Sequence, residues 1–476
     1  MSHTTPSPLP VAVIGAGPVG LAAAAHLVQR GLQVVIFEAG TSVADNLQTY
    51  RHVRLFSPWR FDVDRAAVAL LAGTGWRMPA SGALPTAGEL VDDYLVPLAG
   101  TPAIAPHLRL KTRVLAVSRA GFDKVKTRGR ESAPFVLRVS SPDGIEEVRA
   151  RAIVDASGTW SQPNPLGGHG LPAIGEMENA ARIRYGMPDI VGAERARYAG
   201  RTVLVVGAGH SAAGNLIALA ALAEQDPATR LVWALRGDAM PRRFGGGAAD
   251  GLPARGALGE RLRRLVDDGR LDVRDGFRIH RIAATAGTLT VIAEDSALQP
   301  IDGVDEIIGA TGARPDLRLT SELRVRHDPW LESTDLLAPL IDPNEHSCGT
   351  VRPHGHRELA HPETGFYAIG AKSYGRAPNF LMATGYEQAR SVAAAIVGDM
   401  AAADDVQLEL PETGVCSTDL HAGNDAAVNT SGGCCGGPAL ADASACCALD
   451  ESKKAAGEPG CGCASPAPAA ASPCCA

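Results

Sequence analysis

The stretch "VAVIGAGPVGLAAAAHLVQRGLQVVIFEAG" (Val11–Gly40) decides the fold class. "VAVI" is a short apolar β run, "PVGLAAAAHLVQR" is a helix closed by Gly31, and "QVVIFE" is the next strand. Between strand and helix lies Gly15-x-Gly17-x-x-Gly20. In such a turn the first glycine permits the tight reversal. The second lets backbone N–H groups approach a pyrophosphate, and the third lets the helix pack close to the strand. The helix N-terminus adds partial positive charge. Glu38 ends the second strand, where a carboxylate holds both hydroxyls of an adenosine ribose. Gly15, Gly17, Pro18, Gly20, Glu38 and Ala39 are therefore candidate dinucleotide-binding residues.

A second unit of the same kind occupies "RTVLVVGAGHSAAGNLIALAALAEQDPATRLVWALR" (Arg201–Arg236). Here Gly207 and Gly209 form the turn, and His210 and Ser211 stand at the helix start to bind phosphate. The strand that should end in an acid ends in "VWALR". A guanidinium at Arg236, supported by Arg242 and Arg243, suits a 2′-phosphate that a carboxylate would repel. This favours NADPH and leaves NADH open. Two cradles with unlike ribose signals imply two different dinucleotides. "DASGTW" (Asp155–Trp160) and "GATGARPD" (Gly309–Asp316) each follow an apolar strand with a tight turn. Gly158, Thr311 and Gly312 bring backbone against a cofactor or carry the chain between domains.

The whole chain agrees with a soluble enzyme. It has 476 residues, 45% hydrophobic and 20% charged, with a net charge of −7, which suits two globular domains. The acidic balance argues against nucleic acid or an anionic membrane as partner. The apolar N-terminal stretch is interrupted by glycines and lacks a basic flank, so it is not read as a signal peptide. A cytoplasmic location follows as the expectation. The pattern predicts an α/β fold with two Rossmann-like three-layer nucleotide-binding domains and a disordered Cys-rich tail. The boundaries expected are 1–165 with 345–405 for the first domain, 166–344 for the second and 406–476 for the tail. "FVLRVSSPDGIEEVRARAIVDASG" reads as a hairpin turning at Asp143-Gly144 and returning into a strand. Helices are expected over Asp62–Leu71 and Gly88–Leu98.

With these landmarks in order, the chain resembles the two-dinucleotide-binding flavoproteins, and within them the flavin-containing monooxygenase branch, over about residues 10–400. The further strings "HVRLFSPW", "GLPAIGE", "LVVGAGHSA", "IDPNEHSCGTVRPHG", "KSYGRAPNFLMATGYEQ" and "LPETGVCS" together resemble the flavoprotein monooxygenases associated with arsenic-resistance operons. The resemblance implies FAD in the first cradle, NADPH in the second, and O2 with a small soft substrate such as an arsenical as reactants. It also implies flavin contacts from Gly370 and Asn379, the latter just before a long helix. Phe56 and Trp59 are expected near the isoalloxazine. The sequence departs from the branch in two places. The F-x-G-x-x-x-H identifier is absent, with "GGHGLPAIGE" in its stretch, and Gly370-Ala371 replaces the Gly-Asp of related reductases.

Cysteine usage opens alternatives. None of the ten cysteines precedes Cys348, so a disulfide reductase reading lacks its usual paired thiols near the flavin. Cys348 lies among His346, His354, His356 and His361, a soft constellation for a thiophilic substrate or metal, or a plain histidine loop. Cys434, Cys435, Cys446, Cys447, Cys461, Cys463, Cys474 and Cys475 end the chain. Vicinal cysteines have Cα atoms about 3.8 Å apart, short of the roughly 4.4–6.8 Å of ordinary disulfides. They present thiolates to a soft metal or metalloid instead. A flavin-dependent thiol or disulfide reductase, and a non-catalytic metalloid-binding redox sensor, remain the alternatives to a monooxygenase.

Overall fold

The chain folds its first apolar run, β1 (Val11–Ile14), into the middle of a parallel sheet. The computed structural model describes residues 9–237, 244, 253–346, 351–378 and 380–408. β1 pairs in parallel with β2 (Val34–Phe37) on one side and β7 (Ala152–Asp155) on the other. β3 (Leu108–Arg109) and β16 (Phe366–Ala368) complete the order β16-β7-β1-β2-β3. Such strands are buried on both faces, which is why they read as unbroken apolar runs. Val11 and Val13 face a core shared with helix α1 (Pro18–Gln29) and the long helix Met382–Val397. Ala12 and Ile14 face the other way, onto Val117, Phe135, Leu137 and Val139. Those residues belong to an antiparallel sheet of β4 (Arg113–Arg119), β5 (Phe135–Ser141) and β6 (Gly144–Ala150). Helices, parallel sheet and antiparallel sheet thus make three layers.

The architecture repeats. β8 (Ile183–Tyr185), β9 (Thr202–Val206), β10 (Arg230–Ala234), β11 (Asp272–Arg274) and β15 (Glu306–Gly309) form a second parallel sheet in the order β11-β10-β9-β15-β8. Val203, Val205 and Trp233 pack against helix α2 (His210–Gln225) and the helix Pro253–Asp267. Leu204, Val206 and Val232 pack against the antiparallel sheet β12 (Ile279–Thr285), β13 (Thr288–Ala293) and β14 (Ile301–Val304). The second sheet lies between the chain's departure after β7 and its return at β16.

Local expectations meet physical corrections. The β5–β6 hairpin is present, but Ser141 pairs with Gly144, so Pro142 and Asp143 are the central turn residues. The first expected helix starts later, at Arg65, where Asp64 caps it by accepting from the Ala67 N–H at 3.0 Å. The second runs from Ala87 to Ala99 through a wider turn at Val91–Leu95. Pro97 has no N–H to give the Asp93 carbonyl, and the Trp76 indole N–H takes that carbonyl at 2.6 Å. A buried ion triad ties the layers of the first unit. Glu363, just before β16, holds Arg119 at 2.8 Å and Arg130 at 2.9 Å. No helix among the described residues is long and apolar enough to cross a membrane.

Candidate functional site

Each parallel sheet delivers its central strand into a glycine turn at the start of a helix. At the end of β1, Gly15 has φ +97°, and a Cβ there would lie 2.7 Å from the Ala156 carbonyl oxygen. A Cβ on Gly20 would lie 2.0 Å from the Gly15 carbonyl oxygen. Both positions need glycine for close approach. Gly17 differs: a Cβ would meet no atom within 4 Å, so the space before the helix is open. Gly17 is the N-cap of α1, Pro18 follows it, and no side chain caps the helix. An uncapped N-terminus facing open space fits the diphosphate of a dinucleotide. Glu38 closes the mouth. Its carboxylate accepts from the Ala16 and Gly40 N–H groups, each at 2.8 Å. Ala39 beside it is exposed, and Gly158, in the loop after β7, takes φ +70°.

The second cradle repeats the first turn at its first two glycines and departs from it further on. Gly207 has φ +131°, and a Cβ would lie 2.2 Å from the Ala310 carbonyl oxygen. Gly209 is the uncapped N-cap of α2, again with nothing near a Cβ position. Ala212, fully buried, stands where Gly20 stands in the first unit. His210 is exposed and Ser211 half-buried at the helix start. Strand register then corrects one expectation. Ile14 pairs with Phe37, and Val206 with Ala234. The position matching Glu38 is therefore Leu235, buried and apolar, and Arg236 matches Ala39. Arg236 is exposed one residue beyond the place expected. Its proposed helpers Arg242 and Arg243 lie outside the described residues.

Thr311 and Gly312 serve the crossing between the two sheets. The Thr311 hydroxyl donates to the Asn164 carbonyl, and the Asn164 N–H donates to the Gly312 carbonyl at 2.9 Å. The two chain crossings are stitched together there. Gly370, at φ +69°, gives its N–H to the Gln388 side chain at 2.7 Å. Phe56 is half-buried and its ring lies 5.5 Å from the His210 ring, edge to face. Trp59 is 4% exposed and packs in the first core. Of these two aromatics, Phe56 is the one that reaches the boundary between the cradles. Cys348, Asn379 and the eight tail cysteines lie outside the described residues.

The histidines near Cys348 are not gathered into one site. His346 bonds the Pro339 carbonyl at 2.8 Å and His356 bonds Asp404 at 2.8 Å. His354 lies between the Arg352 carbonyl and the Gln388 amide, both at 2.9 Å. His361 accepts from the Arg326 N–H at 3.2 Å. Burial and the neighbouring His327 push its pKa down to about 4. Among the described residues no group of three potential ligands is arranged to hold a metal.

Sequence reading missed a buried pair behind the first cradle. Lys372 meets Asp155 at 2.7 Å, and the two side chains are 4% and 0% exposed. Lys372 also donates to the Ser157 hydroxyl at 3.0 Å, while Ser157 donates to Asp155 at 2.7 Å. The loop carrying Gly158 is thereby fixed to the segment carrying Gly370. A small cavity beside the pair is lined by His327, His361 and Thr334. The only sequence signal was a lysine two residues past Gly370, in a segment otherwise destined for the interior.

Two glycine cradles of the same build, side by side in one chain, define the two-dinucleotide class of fold. Residues 10–78 match the family model for FAD-dependent oxidoreductases. A search of the curated proteins finds no match. Among solved structures, the chain is similar to the bacillithiol disulfide reductase of Bacillus cereus, with TM-score 0.59 and 18% identity over 82% of this chain and 99% of that one. It is also similar to the cadaverine monooxygenase of desferrioxamine biosynthesis from Erwinia amylovora, bound to FAD, with TM-score 0.58 and 13% identity over 86% and 98%. A third is the ornithine N-hydroxylase of Kutzneria sp. 744 with reduced FAD, NADP+ and L-ornithine, with TM-score 0.53 and 18% identity over 83% and 99%. At these identities the likeness is one of fold.

Proposed function

We propose that the chain is an FAD-dependent oxidoreductase that takes electrons from NADPH and works as a flavin monooxygenase on a soft substrate, an arsenical being the best candidate. The observation that carries this reading is the pair of matched cradles with unlike ribose positions, Glu38 in one and Leu235-Arg236 in the other. When bound, FAD would supply hydride acceptance from NADPH and reduction of O2, with one oxygen atom going to the substrate and the other to water.

The chain's own groups bind and orient. Backbone N–H groups at the start of α1 meet one diphosphate, with Gly17 keeping the approach clear. Glu38, already held by two N–H groups, keeps lone pairs for the ribose hydroxyls. The start of α2, with His210 and Ser211, meets the second diphosphate, and the Arg236 guanidinium answers a 2′-phosphate. Lys372 and Asp155 hold the Ser157–Gly158 loop against the first cradle. The cysteine-rich end supplies thiolates for a soft ion.

Likeness to the bacillithiol disulfide reductase supports a second reading, a thiol or disulfide reductase. The absence of cysteine before Cys348 weighs against it. Purified protein separates the possibilities. A flavin spectrum, NADPH oxidation and substrate-dependent O2 uptake with arsenite, methylated arsenicals or small thiols support the monooxygenase. Disulfide reduction without O2 uptake supports the reductase. A colourless protein that cannot be reconstituted with flavin overturns both.

A further inference from the structure

Trp160 sits where the two halves of the molecule meet. Its indole N–H donates to the Thr49 hydroxyl at 2.9 Å, and its ring lies 4.6 Å from the Tyr50 ring. Thr49 is ready to accept because its own proton goes to the Asn46 carbonyl at 2.7 Å. Thr49 and Tyr50 directly follow the short helix Asp45–Gln48, which carries Asn46, in the segment after β2. The far edge of the indole lies against Gly186, just past β8 of the second sheet. A Cβ on Gly186 would come 2.8 Å from the ring, and Gly186 has φ +88°. Only glycine lets the indole seat there.

Gly186 is itself tied to the second cradle. Its N–H donates to the Gly309 carbonyl at 3.0 Å, one residue before the Ala310 carbonyl that packs on Gly207. Its carbonyl accepts from the Asn215 amide at 2.9 Å, and Asn215 is a buried residue of α2. A continuous chain of contacts therefore runs from Thr49 and Tyr50 through Trp160 and Gly186 to Asn215. A second bridge, Phe56 on His210, crosses the same boundary.

We infer that Trp160 is a positioning residue that clamps the two cradles at the separation needed for hydride transfer. The inference rests on the functional reading above. Transfer from NADPH, which leaves NADP+, is steeply sensitive to donor–acceptor placement, and a 1 Å error costs about a hundredfold. The hydrogen bond and ring contacts of Trp160 are with Thr49, Tyr50 and Gly186 and not with the glycine turns, so its loss should leave binding at each cradle intact and disturb only their relation.

The test compares Trp160→Ala, Trp160→Phe and Thr49→Val with the wild type. Anaerobic reduction by NADPH should slow about ten- to a hundredfold in the alanine variant. In Thr49→Val, which loses one hydrogen bond, it should slow about two- to tenfold. FAD content, NADP+ affinity and melting temperature should hold. Hydrogen exchange of the flavin-free protein gives a reading independent of turnover. In Trp160→Ala, residues 46–53 and 183–186 should loosen together. Wild-type reduction rates in all three variants overturn the clamp. So do loss of flavin and melting temperature in step with the rate, or loosening on one side alone. Failure of the functional reading looks different: the wild type itself would not be reduced, while the exchange result would still decide whether the clamp exists.

Discussion

At Asp62 a carboxyl group with no exposed surface has Oδ1 on the Ser57 hydroxyl at 2.5 Å and Oδ2 on no hydrogen-bond partner. Burial raises its pKa to about 7, against the smaller lowering effect of Ser57. The folded state thus keeps a proton that the unfolded chain releases near its ordinary pKa of 3.8. Stability from this group is full below that value, declines as pH rises, and is gone above about 7. Asp62→Asn keeps the acceptor for Ser57 and cannot ionise. Its melting temperature relative to wild type should rise between pH 5 and pH 8; an equal offset at both pH values would contradict the assignment. At the second cradle, Arg236→Ala should raise the KM for NADPH about ten- to a hundredfold, the range for losing a charge-assisted hydrogen bond. The KM for NADH should stay near wild type, and parallel loss with both cofactors would remove the 2′-phosphate role.

Elements show what a sequence can and cannot carry. Val11–Ile14 and Thr202–Val206 announce strands buried on two faces because alternate residues enter different cores, and the glycine turns follow from local backbone need. The cradles were therefore legible. The offset of Arg236 was not, because it depends on the pairing of Val206 with Ala234, a long-range register. The tie from Lys372 to Ser157 spans 215 residues and leaves no local pattern. Nor does the half-burial of Phe56 against the burial of Trp59, since the two aromatics lie three residues apart in one short segment. Glu363 is a similar case at the level of layers. Burial would raise its pKa, but the Arg324 N–H and the Arg130 and Arg119 guanidiniums outweigh this and hold it low. Glu363→Gln leaves two buried guanidiniums without an anion, at a cost of about 3–5 kcal/mol. Denaturant unfolding should show the midpoint fall; an unchanged midpoint would mean that the triad adds nothing net to the joint between β4 and β16.

For the molecule as a whole, the distribution of thiols is the feature the two cradles do not require. Eight cysteines crowd into Cys434–Cys475, while the stretch that builds both sheets has none before Cys348. A redox enzyme gains from keeping thiols away from its flavin unless they have work there, and paired thiolates select soft ions. A tethered trap raises the local concentration of its cargo without any new contact at the reaction centre. Truncation after Val415 should then raise the KM for a thiophilic metalloid while FAD binding and NADPH oxidation without substrate hold. Mixing the free tail peptide with the truncated enzyme should fail to restore that KM at equal concentration, because the gain belongs to the tether. Identical metalloid kinetics in the full-length and truncated proteins would strip the cysteines of this role, and restoration by the free peptide would replace concentration with delivery as the cause.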